Sequence, residues 1–322
     1  MKISKLRSAA KVAIICATSI AATAGAVQAD DFKVAIVLPG VITDRSFNQA
    51  GFEGVERAAE ELSIDFAYSE KTAQPDQPQA LSDYARRGYD LVIGHGGEFQ
   101  ESVGRVAGRF PDTQFLIVNG TEAGENIATM SFDFPALGYV MGHVAGQTSE
   151  TGKAGYIGAQ KLQFYVQLGE GFERGFMDAR PDGQVFTAWT NDWDDVAKGK
   201  EAALNLINQG ADVIFPSMDN AVVGSLQGVR EQGVMGIGIY YDAIADWPDT
   251  VIQSAIFDMR SALVEVISTA KAGEIESKSY SFGLETPTAA RIGSYSDRVS
   301  ADVQQSASGI IDQIVAGEIT TR

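Results

Sequence analysis

The chain has 322 residues, 45% of them hydrophobic and 21% charged, which predicts a packed globule of about two domains rather than a disordered chain. Its 25 basic and 42 acidic residues give a net charge of −17. Capture of a phosphate backbone needs clustered Lys and Arg, so no nucleic-acid partner is expected.

The first 29 residues hold no acid and four bases, Lys2, Lys5, Arg7 and Lys11. This cationic start, the apolar run from Val12 to Ala22 and the small residues of Ala26-Val-Gln-Ala29 have the layout of a secretory signal peptide cleaved after Ala29. The apolar run is shorter than the roughly 20 residues a membrane anchor needs. Cys16, the one cysteine, lies inside that run rather than at the cleavage point, so lipidation is not expected. The cleaved chain has no thiol for disulfides, catalysis or zinc. A soluble periplasmic monomer with 21 bases against 42 acids is the expected product.

From Lys33 onward, short β-branched runs alternate with amphipathic stretches. Lys33 to Leu38 reads as a buried strand, and apolar residues at helical spacing predict a helix from about Asn48. A helix over Gln79 to Arg87, a strand over Asp90 to Gly94, a helix from Glu101 to Phe110 and strands at Gln114 to Val118 and Ala128 to Phe132 follow. Phe134 to Gly146 reads as a helix. The rhythm then restarts, with strands at Ala154 to Ala159, Gln184 to Trp189, Asp212 to Phe215, Met235 to Tyr240 and Val251 to Ile256. Helices from Gln167 to Ala179, Lys198 to Gln209 and Val222 to Gln232 separate them. Met259 to Ala272 reads as a helix, Ser277 to Tyr295 as polar extended chain, and Val299 to Ile314 as a last helix.

Strands separated by helices of this length pair in parallel through right-handed crossovers. Two such series predict an α/β protein of two doubly wound Rossmann-like lobes joined by a multi-crossover hinge. The first lobe takes residues 32–134 plus about 257–284, and the second takes 135–256 plus about 285–322. Crossings are expected near Phe132 to Pro135, Ser254 and Glu285. Ligands of open α/β sheets sit at the carboxyl ends of the strands, here in the cleft between the lobes.

The motifs of familiar chemistry do not occur. There is no Gly-x-Ser-x-Gly elbow, no His-Glu-x-x-His, no phosphate-binding Gly-x-x-x-x-Gly-Lys loop, and no Gly-x-Gly-x-x-Gly after the first strand. No catalytic residues, metal ligands or cofactor are therefore assigned. His143 reads as a packed or capping residue, while His95 at a strand end could equally touch ligand or satisfy a turn.

The strand ends carry the informative residues. Asp44 and Ser46 suit the cap of the first helix, and Phe47 and Asn48 beside them suit a stacking plane and an amide reaching into the cleft. Asn119 ends the strand to Val118. The strand to Trp189 ends in Asn191-Asp192-Trp193-Asp194, the strand to Phe215 near Asp219, and the strand to Tyr240 in Tyr241-Asp242. Asn and Asp also serve turns, but loops rarely need residues such as Trp193 and Tyr241 for packing, so these two point to a ligand. Aromatic faces that sandwich a ring, with Asn and Asp reading its edge, fit a flat, polar-edged heterocycle. Strand ends poor in Arg and Lys disfavour a phosphorylated one.

Asp44-Arg-Ser-Phe-Asn48 with Gly51-Phe-Glu-Gly54 resembles the D-x-S-F-N…(W/F)-E-G signature of the basic membrane protein family of ABC-transporter substrate-binding proteins, which capture purine nucleosides or bases. Phe110-Pro-Asp-Thr-Gln-Phe115, Gly138-Tyr-Val-Met-Gly142, Gly169-Glu-Gly-Phe172 with Gly175-Phe176, and Gly210-Ala-Asp-Val213 extend the likeness over residues 32 to 316. Trp189 to Asp195 with Lys200-Glu-Ala-Ala203 is similar to the branch associated with free bases. The resemblance implies a type I periplasmic-binding-protein architecture and a membrane permease as partner. It also implies ligand contacts at Phe47, Asn48, Asp219 and Asp242. Asn119 stands where such proteins often have Asp, and Phe257 where nucleoside binders carry a Lys for the ribose, which favours a bare base. The expected function is capture of a purine base or nucleoside for an ABC importer. Its alternatives are an exported hydrolase or a sensory ligand-binding module using the same cleft. A repressor-type effector domain is disfavoured, because no basic helix-turn-helix precedes Lys33.

Overall fold

The computed structural model describes residues 32–44 and 47–321; the expected signal segment and Ser46 lie outside them. The first half runs β1 (Lys33–Val37), α1 (Phe47–Leu62), β2 (Asp65–Ser69), α2 (Gln77–Arg86), β3 (Leu91–His95), α3 (Gln100–Ala107), β4 (Gln114–Val118) and β5 (Ile127–Phe132). The second runs α4 (Phe134–Thr148), β6 (Lys153–Gly158), α5 (Gln163–Ala179), β7 (Gln184–Trp189), α6 (Val196–Asn208), β8 (Val213–Ser217), α7 (Ala221–Glu231), β9 (Met235–Ile239) and β10 (Val251–Phe257). Then come α8 (Met259–Lys271), β11 (Ser279–Phe282), β12 (Ala290–Ile292) and α9 (Ala301–Val315).

Each half supplies five strands of a six-stranded sheet, β11 completing the first and β12 the second, and the two sheets have the same order. The first is β2-β1-β3-β4-β5-β11 and the second β7-β6-β8-β9-β10-β12. All neighbours in the first sheet are parallel; in the second only β12 runs antiparallel, against β10. The central strands are apolar without interruption because both faces are covered. In β1, Val34 and Ile36 join the cluster facing α1 and α8, while Ala35 and Val37 join the one facing α2 and α3. In the second lobe α6 and α7 cover one face, and α4, α5 and α9 the other.

The internal repeat extends to backbone detail. Lys71 and Asn191, each two residues past the second strand of its series, both have left-handed φ, at +54°. Asn119 and Tyr240, each one residue past the fourth strand, do so at +56° and +71°. Asp133 and Asp258 follow the fifth strands and cap α4 and α8, accepting from Ala136 N at 3.4 Å and Ser261 N at 3.2 Å.

The chain passes between the sheets at Asp133, at Asp258 and over Gly283 to Ala289. Backbone bonds tie these strands together: Asp133 N donates to Phe282 O at 2.8 Å and Asp258 N to Ala289 O at 2.7 Å. Phe132, Phe134 and Phe257 pack edge-on or tilted around the crossovers, with centroids 4.9–6.0 Å apart. The apolar cluster there continues from one lobe into the other, so the hinge is part of the core.

Capping at α6 offers a direct check on these local rules. Asp195 accepts from Ala197 N at 2.9 Å and Lys198 N at 3.1 Å. Asp195→Ala is expected to lower stability by about 1 kcal/mol, read by urea unfolding; Asp195→Asn, which keeps an acceptor, should recover most of it.

Candidate functional site

In both sheets the strand order reverses between the first and third strands of the series, and the crevice beyond that point is where such folds bind ligands. In the first lobe this is the end of β1 and β3. Asp44 caps α1, its oxygens accepting from Asn48 N and Gln49 N, both at 3.0 Å. The Asn48 side chain closes the loop: Nδ2 donates to Asp44 at 2.8 Å, and Oδ1 accepts from Gly40 N at 3.0 Å. Asp44 and Asn48 thus fix the start of α1, whose first residue is Phe47.

Phe47 lies on His95, centroids 3.9 Å apart and planes within 18°. His95 is fully buried, while Phe47 remains partly exposed and covers it. His95 Nε2 is 2.8 Å from Phe47 O; a carbonyl only accepts, so Nε2 carries the proton. Burial lowers the His95 pKa to about 4, against the raising influence of the Phe47 carbonyl and the Asp44 charge. A histidine held neutral in the fold takes up its proton on unfolding, so this group's contribution to stability falls as pH drops from about 6.5 toward 4. Between pH 7 and pH 5 the expected loss is about 2 kcal/mol. Chemical unfolding at the two pH values in wild type and His95→Gln checks it; the variant should lack that part of the dependence.

Asn119 is half-buried beyond β4. Its backbone N–H donates to Met130 O at 2.7 Å, and its side-chain Oδ1 accepts from Ser131 Oγ at 3.4 Å. Asn tolerates the left-handed backbone needed there better than most residues.

Trp193 is half-buried and packs on the cluster containing Ile157, Ala159 and Tyr165. Its carbonyl accepts from Ala221 N at 2.9 Å, joining its loop to the start of α7. Packing is therefore one duty of this tryptophan, contrary to the expectation from its loop position. Asp219 lies close enough to Tyr165 and Tyr240 for its charge to add to burial, the larger cause, in pushing both phenols up. The two hydroxyls are 3.4 Å apart.

Sequence reasoning passed over Tyr240, one residue past β9 and beside Tyr165 and Asp219. It has the left-handed φ noted above, rare for an aromatic residue, and packs against Phe257. Tyr241, singled out instead, is 52% exposed and donates to Asp246 at 3.0 Å; partial burial and that carboxylate push its phenol up to about 12. Asp242 accepts from Ser294 N at 2.9 Å and Oγ at 2.6 Å, fastening the end of β9 to the segment after β12. Burial would raise its pKa, but these bonds hold it below the usual carboxylate range. Phe257 is 6% exposed and belongs to the hinge cluster. Phe47, Asn119, Trp193, Asp219, Asp242 and Phe257 are therefore all at or just beyond carboxyl ends of strands, with Phe257 and Asp242 against the hinge strands.

His143 packs as expected, its Nε2 2.8 Å from Ser306 Oγ and 2.9 Å from the Gln147 amide. Among the described residues no group of three or more His, Cys, Asp or Glu could hold a metal ion, and no helix is long and apolar enough to cross a membrane.

A model of the Bmp family, described as ABC transporter substrate-binding protein PnrA-like, matches residues 32–321. The chain belongs to this family. The transcriptional activator protein Med of Bacillus subtilis is 28% identical over 274 residues, 85% of each chain. A purine-binding protein of Brucella abortus is 30% identical over 210 residues, 65% of this chain and 59% of its own. A solved ABC transporter solute-binding protein from Aeropyrum pernix K1 superposes with a TM-score of 0.77 at 22% identity, covering 90% of this chain and 92% of its own. That likeness is one of fold, and it matches the two-lobe type I architecture. The Bmp protein is thus an ABC-transporter substrate-binding protein of two α/β lobes.

Proposed function

We propose that this Bmp-family protein is a periplasmic receptor that captures a purine base in the inter-lobe crevice and delivers it, chemically unchanged, to a membrane permease. The observation that carries the reading is an aromatic plane at the end of each sheet, Phe47 in one and Trp193 with Tyr240 in the other. Asp219 near Tyr240 and Asn119 at the end of β4 are the groups suited to read a ring's edge. The name of the Brucella relative supports a purine. A bare base is preferred to a nucleoside because Phe257, which stands where nucleoside binders of the family carry a Lys for the ribose, is packed among phenyl rings. Closure needs differential affinity: the ligand must bind the closed form more tightly than the open one.

Native mass spectrometry of protein purified without refolding should show a co-purified base by mass, and calorimetric titration should show tighter binding of the base than of its nucleoside. Intact mass of the exported protein should match cleavage after Ala29 and a monomer. Hydrolysis of added nucleosides would overturn the receptor reading in favour of an exported hydrolase.

A further inference from the structure

We propose that His95 is a positioning residue for ligand capture, holding the Phe47 ring as a preset stacking plane. The inference deepens the reading of Phe47 as a ligand-stacking residue and rests on it. Three features at the end of β3 converge on this role.

The imidazole backs the Phe47 ring face to face at 3.9 Å, and the same side chain donates from Nε2 to the Phe47 carbonyl. Phe47 is thereby held by its ring and its backbone at once, at the first residue of α1, where a helix is otherwise free to fray. Gly51, one turn along, makes room for the imidazole: a Cβ there would lie 2.4 Å from Cε1 and 2.5 Å from Nε2. The ring therefore occupies a recess in the helix surface that only glycine leaves open.

Nδ1 is buried without a hydrogen-bond partner among the described residues, an arrangement that costs free energy and that a phenyl or aliphatic side chain would avoid. What the histidine adds over such a side chain is the bond to the Phe47 carbonyl. A ring already fixed loses less freedom when a ligand stacks on it, so affinity rises without any contact between His95 and the ligand. Asp44, on the loop entering α1, is the charged group whose field reaches the imidazole.

The test uses NMR of the exported protein, with adenine and guanine as probes. In the free protein His95 should show the Nε2–H tautomer, and the Phe47 ring a single rotamer that becomes averaged in His95→Ala. A Phe47 ring equally fixed in that variant overturns the proposal, whether or not a purine binds. With a purine that binds, the His95 nitrogens should shift while those of His143, between α4 and α9, stay in place; unmoved His95 signals at saturation overturn it. His95→Ala should weaken binding about tenfold, and Phe47→Ala should cost much less in that background than in wild type. Full additivity again counts against the role. Gly51→Ala, which displaces the imidazole without removing an atom of it, should reproduce the loss if His95→Ala fails to fold. Failure of both bases to bind wild type removes the purine reading, and the Phe47 rotamer in the free protein still decides this one.

Discussion

Gly142→Ala is expected to lower the unfolding free energy by about 3 kcal/mol, the high end for overpacking. Helix α4 is buried nearly all round, and α5 lies against it with the backbones in contact. A Cβ at Gly142 would come 2.0 Å from the Phe172 carbonyl oxygen, and one at Gly175 would come 2.0 Å from that of Tyr139. The obstacle in both cases is main chain of the partner helix, so no rotamer change relieves it and the helices must part. Separation would disturb the hinge, because α4 begins at the first crossover and Phe134 belongs to the aromatic cluster there. Gly104→Ala in α3 and Gly309→Ala in α9 are the controls, since a Cβ at either meets nothing within 4 Å. Each should stabilise by roughly 0.5–1 kcal/mol through the entropy of the unfolded chain. Urea unfolding of the four proteins at one pH decides the matter; equal effects at Gly142 and Gly104 would show that the helix contact is looser than described.

Phe47→Ala should weaken purine binding by about 1–3 kcal/mol, or roughly 5- to 150-fold. The ring is partly exposed, so its loss should cost stability less than that of a buried phenylalanine, although it uncovers His95. Trp193→Ala should behave differently. Its ring contributes to the packing between β6, α5 and α6, so both binding and stability should fall, the latter by about 2 kcal/mol. Calorimetric titration with adenine and guanine, paired with unfolding of the same samples, separates the two. Wild-type affinity in both variants would remove these rings from the ligand site.

Much of the architecture was legible before any coordinates. β4 and β7 coincide with their expected limits residue for residue, because each is a continuous run of β-formers closed by Asn or Thr. The α-helices of the two series lie within a few residues of their expected positions. Of the strands, β2 was overlooked: Asp65-Phe-Ala-Tyr-Ser69 is a short edge strand with no fully buried residue, so it carries little apolar signal. β11 and β12 lay hidden in a stretch read only as polar and extended, since each gains its identity from the neighbour it pairs with, β5 or β10.

The candidate site shows the same division. Residue types and their strand-end positions were visible in the order of amino acids, as were the cap at Asp44 and the aromatic character of both lobes. Which member of the pair Tyr240-Tyr241 turns inward was not, because a left-handed residue after β9 breaks the alternation from which side-chain direction is inferred. Nor was the pairing of His95 with Phe47, 48 residues apart, or the recess at Gly51 that admits it. Local periodicity records which faces of a segment avoid water, and that suffices for elements and lobes, while the family likeness rests on motif residues such as Asp44-Arg-Ser-Phe-Asn48. The partner across a sheet or helix face is chosen by shape and hydrogen-bond geometry between distant segments, so the hinge cluster, the glycine contact of α4 with α5 and the backing of Phe47 emerged only from the folded chain.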